Sequence, residues 1–334
     1  MKKFSMILTV ILMLSLLCGC AGTTVVYQTN CTCPTGSHDS VVEMPTEPAP
    51  VVEGAVKTGL AIVAGIKVDT ESGKASYDVT YVAVNVDDKG VITACTFDSL
   101  GADVALDAIA EHNGEVKTKQ ELGNDYGMGA IAPAGEWYVQ ADALAQYAVG
   151  KTVEELKNGA VGETGYAQDA DLATSATIYL GGYVSAIEKA VANAKPLGAS
   201  AGDELKLATT NKLSEGNLNA DAVALTMKDG VITSCYLDSL QATLNIAEDG
   251  TVTAGNALTK NELGYDYNMV NYGVSTMEWF EQAEGFAAFV TGKTPAEVAA
   301  IAVDESTYPT DVDLTASCTI AIGGFQGLIA KAAQ

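Results

Sequence analysis

The chain has 334 residues, a length that allows two modest domains, each with a core of its own. It carries 42 acidic residues against 18 lysines and no arginine, so the net charge is −24 with neutral histidines. That charge disfavours nucleic acid as a partner, because phosphate contacts need clustered cations. With only two histidines, His38 and His112, a multi-histidine zinc site or a histidine proton relay is also disfavoured.

The N-terminus predicts export and anchoring. Lys2 and Lys3 precede an apolar run, residues 6–17, which is shorter than the ~20 residues a spanning helix needs and predicts a signal peptide over residues 1–19. The run ends in Leu17-Cys-Gly-Cys20-Ala, which resembles the lipobox of bacterial lipoproteins. The resemblance implies lipid on Cys20 and attachment to the extracytoplasmic face of the cell membrane. An ordinary cleaved signal is the alternative interpretation.

Residues 20–55 have the composition of a disordered tether. They are rich in proline, threonine, serine and glutamate, and such segments bury too little apolar surface to fold. Cys31 and Cys33 within the tether leave three interpretations open: a redox pair, a weak metal site or unpaired thiols. The later cysteines, Cys95, Cys235 and Cys318, are expected to be small buried hydrophobic residues.

An internal repeat organises the rest of the chain. Residues 89–100 match 229–240, residues 118–128 match 259–269, and residues 150–152 match 292–294, at offsets of 140, 141 and 142. The order is kept and the period is too long for a solenoid, so the pattern predicts two tandem homologous domains, 56–197 and 198–334. Each copy is expected to fold on its own.

Each copy begins with strands and continues with helices. β-branched and aromatic residues flank an Asp- and Gly-containing turn at 87–90 and again at 228–230, which predicts an antiparallel hairpin. Apolar residues then recur at helical spacing from Trp137 and from Trp279, where the spacing favours core positions for both rings. Thr152 and Thr294, each followed three residues later by glutamate, predict capping boxes. Strands first and helices later predict an α+β fold.

One segment of each copy resembles a known cofactor motif. Asp171-Leu-Ala-Thr174-Ser175-Ala176-Thr177 resembles the flavinylation motif of FMN-binding domains, Asp-x-x-Ser/Thr-Gly-Ala-Ser/Thr. In that family a flavin transferase esterifies the last hydroxyl to the phosphate of FMN, which implies Thr177 as the acceptor here. The second copy keeps Asp313 and Thr319 but has Ala316, Ser317 and Cys318 before the threonine. Thr319 is therefore the weaker candidate.

The residues around this motif suggest how an anion is held without arginine. A threonine at the start of a helix places an attached phosphate beside free backbone N–H groups and the positive end of the helix dipole. The competing interpretation is structural: the hydroxyls cap helices, and Asp171 and Asp313 form turns.

Lys119 and Lys260 occupy equivalent positions in the two copies, each followed by a Tyr-containing segment. A lysine there stabilises a reduced anionic flavin, and a tyrosine stacks on its ring. The alternative is a loop held by side-chain caps and a solvated ion pair.

Together these features predict a membrane-anchored extracytoplasmic flavoprotein that carries electrons through FMN esterified to threonine. Its expected partners are membrane lipid through Cys20, a flavin transferase, and membrane or extracellular redox proteins. An electron carrier or binding protein is favoured over a stand-alone enzyme. The alternative function is a cofactor-free envelope lipoprotein that binds a small ligand, a cell-wall polymer or a protein.

Overall fold

The computed structural model describes residues 54–273 and 275–334, and the fold in this part of the chain is mixed α+β with antiparallel sheets, as the sequence predicts. The signal peptide, Cys20, the cysteines Cys31 and Cys33 and nearly all of the tether lie outside the described residues. No helix in the described part is long and apolar enough to cross a membrane.

Both copies contain three long strands followed by five helices, and they differ between these parts, where the first copy has one short strand and the second has two. The first copy contains β1 (Lys57–Asp69), β2 (Lys74–Val86), β3 (Ile92–Ala105), β4 (Gly114–Glu115), α1 (Lys119–Leu122), α2 (Trp137–Ala148), α3 (Val153–Gly159), α4 (Ala170–Ser175) and α5 (Gly181–Ala192). The second contains β5 (Glu204–Ser214), β6 (Asn217–Lys228), β7 (Val231–Ala242), β8 (Leu244–Ile246), β9 (Val252–Ala254), α6 (Lys260–Leu263), α7 (Trp279–Val290), α8 (Pro295–Ala299), α9 (Val312–Thr315) and α10 (Gly323–Ala332). Short 3-10 turns at Gly123–Tyr126 and Gly264–Tyr267 follow α1 and α6.

Each copy has a three-stranded antiparallel meander, β1-β2-β3 or β5-β6-β7. The predicted hairpin turns are present: Asp229 and Gly230 both have positive φ, which suits a tight turn between right-twisted strands. Both hairpins shift register at the same place, between Asn85 and Val86 and between Thr226 and Met227. The capping boxes at Thr152 and Thr294 are also present and begin α3 and α8.

Apolar side chains lie on both faces of the middle strands, and this arrangement produces four layers in the described part of the chain. In β2, Val82, Val84 and Val86 face the helices of their own copy, where Trp137 lies in the predicted core. The opposite face, which includes Tyr77 and Tyr81, joins residues of the second sheet in a separate apolar cluster. The second copy packs its own helices on the outer face of its sheet. The order of layers is therefore helices, sheet, sheet, helices.

Polar contacts cross the boundary between the copies as well. The Tyr77 hydroxyl donates to the carbonyl of Gly216 at 2.8 Å, and the Tyr81 hydroxyl donates to the side chain of Asn211. Thr58 and Ser234 form a buried hydroxyl pair at 2.7 Å. Strand β4 of the first copy pairs with β5 of the second. The described residues accordingly form one compact unit, in which the two repeats share a core.

This shared layer makes independent folding of one repeat a sharp test. We predict that residues 56–197 expressed alone do not give a cooperative melt as a monomer, because Tyr77 and Tyr81, which each bury roughly 150–250 Å² of ring surface, lose their cover. Circular dichroism melts combined with size-exclusion chromatography measure this. A sharp transition of a monomeric fragment would show that each repeat has a sufficient core of its own.

Candidate functional site

The first repeat contains a cleft of about 780 Å³ between the outer face of its sheet and the helices and loops that cover that face. Val63 and Gly65 of β1 and Thr80 of β2 form part of its floor. Its walls are rich in aromatic rings, contributed by Tyr126, Trp137, Tyr166, Tyr179 and Tyr183. Thr177 and Lys119 also line this space, which we call the first cleft. Two residues predicted independently from the sequence therefore lie at one site.

Lys119 is held over two of these rings. Its segment begins with the short helix α1, in which Thr118 and Glu121 form a capping box around the first turn. The Lys119 ammonium lies 5.2 Å from the centre of the Trp137 ring and 5.4 Å from that of Tyr126. Such cation–π contacts are attractive and fix the cation against the wall of the cleft.

The sequence predicts Thr177 at the start of a helix, but the structure places it between two helices. It follows α4, and α5 begins only at Gly181, with Leu180 as its N-cap. The difference arises because the two glycines, Gly181 and Gly182, form the first turn of α5. Gly182 lines the first cleft, so the N-terminus of the helix still faces the space beside Thr177.

A buried glutamine fixes Thr177 in place. The side-chain oxygen of Gln140 accepts hydrogen bonds from the Thr177 N–H at 2.8 Å, from the Thr177 hydroxyl at 3.2 Å and from the Ile178 N–H at 3.2 Å. Its amide nitrogen donates to the carbonyl of Gly135 at 2.8 Å. Gln140 is fully buried, while Thr177 itself is exposed. The sequence analysis does not single out this glutamine. The repeat could have indicated it, because Gln140 and Gln282 are separated by 142 residues, as are Trp137 and Trp279.

The other residues of the motif serve the short helix α4. Asp169, not Asp171, is the N-cap and accepts the N–H groups of Asp171 and Leu172 at 3.0 Å. The hydroxyls of Thr174 and Ser175 both donate to the carbonyl of Asp171, at 2.7 and 3.1 Å. Ala176 is buried. Among the motif residues, only Thr177 lines the first cleft.

The second repeat reproduces much of this arrangement at what we call the second site, formed by Lys260, Tyr267, Trp279 and Thr319. Lys260 lies 5.0 Å from the Trp279 ring centre and 5.1 Å from that of Tyr267. Gln282 accepts the Thr319 N–H at 2.8 Å and the Thr319 hydroxyl at 3.0 Å. Asp311 caps α9, and the Ser317 hydroxyl donates to the carbonyl of Leu314 at 3.4 Å.

The two sites differ in their walls and floors. Tyr179 and Tyr183 of the first cleft correspond to Ala321 and Phe325, so the second site has fewer tyrosines. By strand register, Lys212 stands where the first cleft has Gly65, and Asp221 stands where it has Thr80. Burial lowers the pKa of Lys260, and the carboxylates of Asp221 and Asp238 oppose that shift.

A buried carboxyl supports the lysine-bearing helix in each repeat. Asp98 accepts the backbone N–H of Gln120 at 3.1 Å, and Asp238 accepts that of Asn261 at 3.2 Å. Burial raises the pKa of both groups, that of Asp238 to about 6, despite these hydrogen bonds. The sequence alignment of the copies pairs the two residues, but nothing local marks them as buried.

Two further features bear on the chemistry available. The thiols of Cys95, Cys235 and Cys318 are free, and burial raises the pKa of each. Cys235 and Cys318 are buried, as predicted, whereas Cys95 is half-buried. Within residues 54–273 and 275–334, no group of three or more His, Cys, Asp or Glu side chains is placed to hold a metal ion.

No model of a known protein family, no curated protein and no solved structure matches the chain.

The glutamine contact leads to a stability prediction. Gln140→Leu removes the acceptor for two part-buried backbone N–H groups, and each lost hydrogen bond costs about 0.5–1.5 kcal/mol, so we expect the free energy of unfolding to fall by about 1–3 kcal/mol. Gln146→Leu, at an exposed position of the same helix, should change it by less than about 0.5 kcal/mol. Urea unfolding compares the two variants. Equal effects would contradict the role given to Gln140.

Proposed function

We propose that the protein is an extracytoplasmic electron carrier that holds FMN esterified to Thr177, with the flavin ring in the first cleft. The observation that carries this proposal is the meeting of an exposed threonine, several aromatic rings and one lysine at a single opening. The resemblance of residues 171–177 to a flavinylation motif supports the same conclusion from the sequence alone.

The residues present fit such a cofactor. A volume of about 780 Å³ lies within the ~300–1,000 Å³ typical of cofactor sites. The ring of Tyr179 lies across Gly165 and Gly181, where a β-carbon would collide with it, so the glycines allow this wall to form. Gly182, in the N-terminal turn of α5, lies at the cleft, and the N-terminus of a helix favours a phosphate.

Each residue of the first cleft has a distinct role in this proposal. When bound, FMN supplies transfer of one or two electrons. Lys119 would stabilise negative charge on the ring, and the exposed rings of Tyr166 and Tyr179 would shield it from water. Trp137, which is only 1% exposed, would support Lys119 from the core. Gln140 holds Thr177 so that its hydroxyl stays at the rim of the cleft. No residue of the chain is required to make or break a substrate bond.

We propose that Thr319 is a lesser attachment point. Its hydroxyl is held by Gln282 as Thr177 is held by Gln140, which favours it as an acceptor. Cys318 and Ala316 precede it, however, and its site has a more polar floor and fewer tyrosines. A transferase that reads the loop sequence is therefore expected to prefer Thr177.

Anchoring through Cys20 is part of the same proposal and rests on the lipobox resemblance of residues 17–21. Lipid at that residue would keep the first cleft outside the membrane but close to it, within reach of membrane redox partners. Fractionation of a Cys20→Ala variant tests the anchor separately from the flavin.

A cofactor-free binding protein is the second candidate, favoured by the large exposed fraction of the cleft tyrosines. Tyr166 and Tyr179 are each about half exposed, at 50% and 55%, and pack edge to face against one another. Rings of this kind also stack on planar or sugar ligands that are not covalently attached.

Mass measurement separates the two functions. We expect the chain coexpressed with a flavin transferase to gain the mass of FMN, and Thr177→Val to lose most of that gain, because esterification needs the hydroxyl. The variant should remain folded, since only a hydrogen bond of ~1 kcal/mol is lost.

Thr164→Val is the matched control, because Thr164 is exposed, lies outside the motif residues 171–177 and does not line the cleft. We expect full flavin on this variant and a small loss in Thr319→Val. A wild-type mass equal to the bare processed chain, with active transferase and FAD present, would leave the binding protein as the better account.

A further inference from the structure

Two lysines join the repeats in a reciprocal arrangement that the proposed function does not itself require. The Lys189 ammonium on α5 of the first repeat lies 2.7 Å from Glu262 on α6 of the second. The Lys331 ammonium on α10 of the second repeat pairs with Glu121 on α1 of the first. The residues of each pair correspond by the repeat offsets of 142 and 141. Each repeat therefore extends a lysine to the helix that carries the cleft lysine of the other.

The same correspondence holds for a second contact of each lysine. Lys189 donates to the carbonyl of Ile62 at 3.0 Å, and Lys331 donates to the carbonyl of Thr209 at 2.6 Å. Ile62 pairs with Tyr81 and Thr209 pairs with Ala222, so the two carbonyls occupy equivalent positions on β1 and β5. Each ammonium is thus fixed to the strand of its own repeat while it reaches the glutamate of the other.

The glutamate that receives the lysine also begins the short helix. One oxygen of Glu121 accepts the N–H of Thr118 at 2.8 Å, while the other is bound to Lys331. Glu262 does the same with Thr259, at 3.0 Å. Burial opposes ionisation of Glu121, but the hydrogen bonds from Lys331 and Thr118 outweigh it and lower the pKa of this carboxyl.

Helix α1 has only four residues, Lys119–Leu122, and a helix this short does not hold its conformation alone. Its capping box and its contact with Asp98 define one end, and the Lys331 contact ties the capping glutamate to the second repeat. Lys119 is the first residue of this helix, directly after the cap. Displacement of Glu121 therefore moves the ammonium that lies over Trp137.

We propose that Lys331 is a positioning residue for the first cleft, acting from the second repeat through Glu121 on Lys119, and that Lys189 acts in the same way on Lys260. This assignment extends the proposed flavin function, but the contacts on which it is based do not depend on a bound flavin. In this proposal, a residue of the second repeat determines the position of Lys119 in the first cleft.

The two tryptophans of the chain report on the two lysines separately, since Trp137 lies beside Lys119 and Trp279 beside Lys260. In a full-length Trp279→Phe background, we expect Lys331→Met to shift the emission maximum of Trp137 and Lys189→Met to leave it unchanged. Each lysine variant loses one similar ion pair. If the lysines had only a structural role, both variants would lower the melting temperature and neither would change Trp137 emission more than the other. Equal Trp137 responses, or none, would overturn the proposal.

Glu121→Gln and Glu262→Gln repeat the test with a smaller change, because glutamine keeps an acceptor for the capping N–H and removes the charge that binds the lysine. Only Glu121→Gln should shift Trp137 emission; a shift in both or in neither contradicts the assignment. In flavin-loaded protein, Lys331→Met should also make the reduction potential more negative, and an unchanged potential would contradict transmission to the flavin. Absence of flavin refutes the proposed function alone, because the tryptophan readout still decides the role of Lys331.

Discussion

The apolar layer between the two sheets is the constraint on which the rest of the structure depends. Each meander has two apolar faces, and a face that is not covered by the helices of its own repeat needs another partner. The second repeat supplies that partner. Tyr77 and Tyr81 from the first sheet meet small and aliphatic residues at the equivalent places in the second, Leu218 and Ala222 among them. The large rings of one sheet thus fill the space that the small residues of the other leave.

This packing leaves the outer helical layers to form the sites. The helices cover only one face of each sheet. Strand residues on that face form the floor of the first cleft, and helices and loops form its walls. The short helices α1 and α6 also lie at the boundary between repeats, where Lys331 and Lys189 reach them. The inner layer that joins the repeats therefore also brings a lysine of each repeat to the short helix of the other.

Local signals in the sequence predict the elements well. The Asp-Gly turns, the Thr-x-x-Glu capping boxes and the helical spacing from Trp137 and Trp279 each depend on residues close together in the chain, and the structure contains all of them. The repeat alignment also pairs Lys119 with Lys260 and Thr177 with Thr319 correctly, since equivalent residues occupy equivalent places in both copies.

Features that depend on distant contacts were not predictable in the same way. Alternation shows that β2 has two apolar faces but not which face meets the other repeat. The buried amide of Gln140 lies on a helix whose spacing indicates only a core face, and its partner is 37 residues away. The start of α5 differs from the prediction because Gly181 and Gly182, poor helix residues in isolation, form its first turn close to Tyr179. Tertiary packing outweighs local preference at each of these positions.

Peptide mapping tests the central claim, that FMN is attached at the rim of the first cleft. Trypsin cleaves after lysine, and the absence of lysine between Lys157 and Lys189, and between Lys293 and Lys331, places Thr177 and Thr319 on separate peptides. Protein coexpressed with a flavin transferase should yield a fluorescent peptide 158–189 that carries the mass of FMN on Thr177, with much less on peptide 294–331. Unmodified forms of both peptides, in protein exposed to active transferase and FAD, would contradict the account.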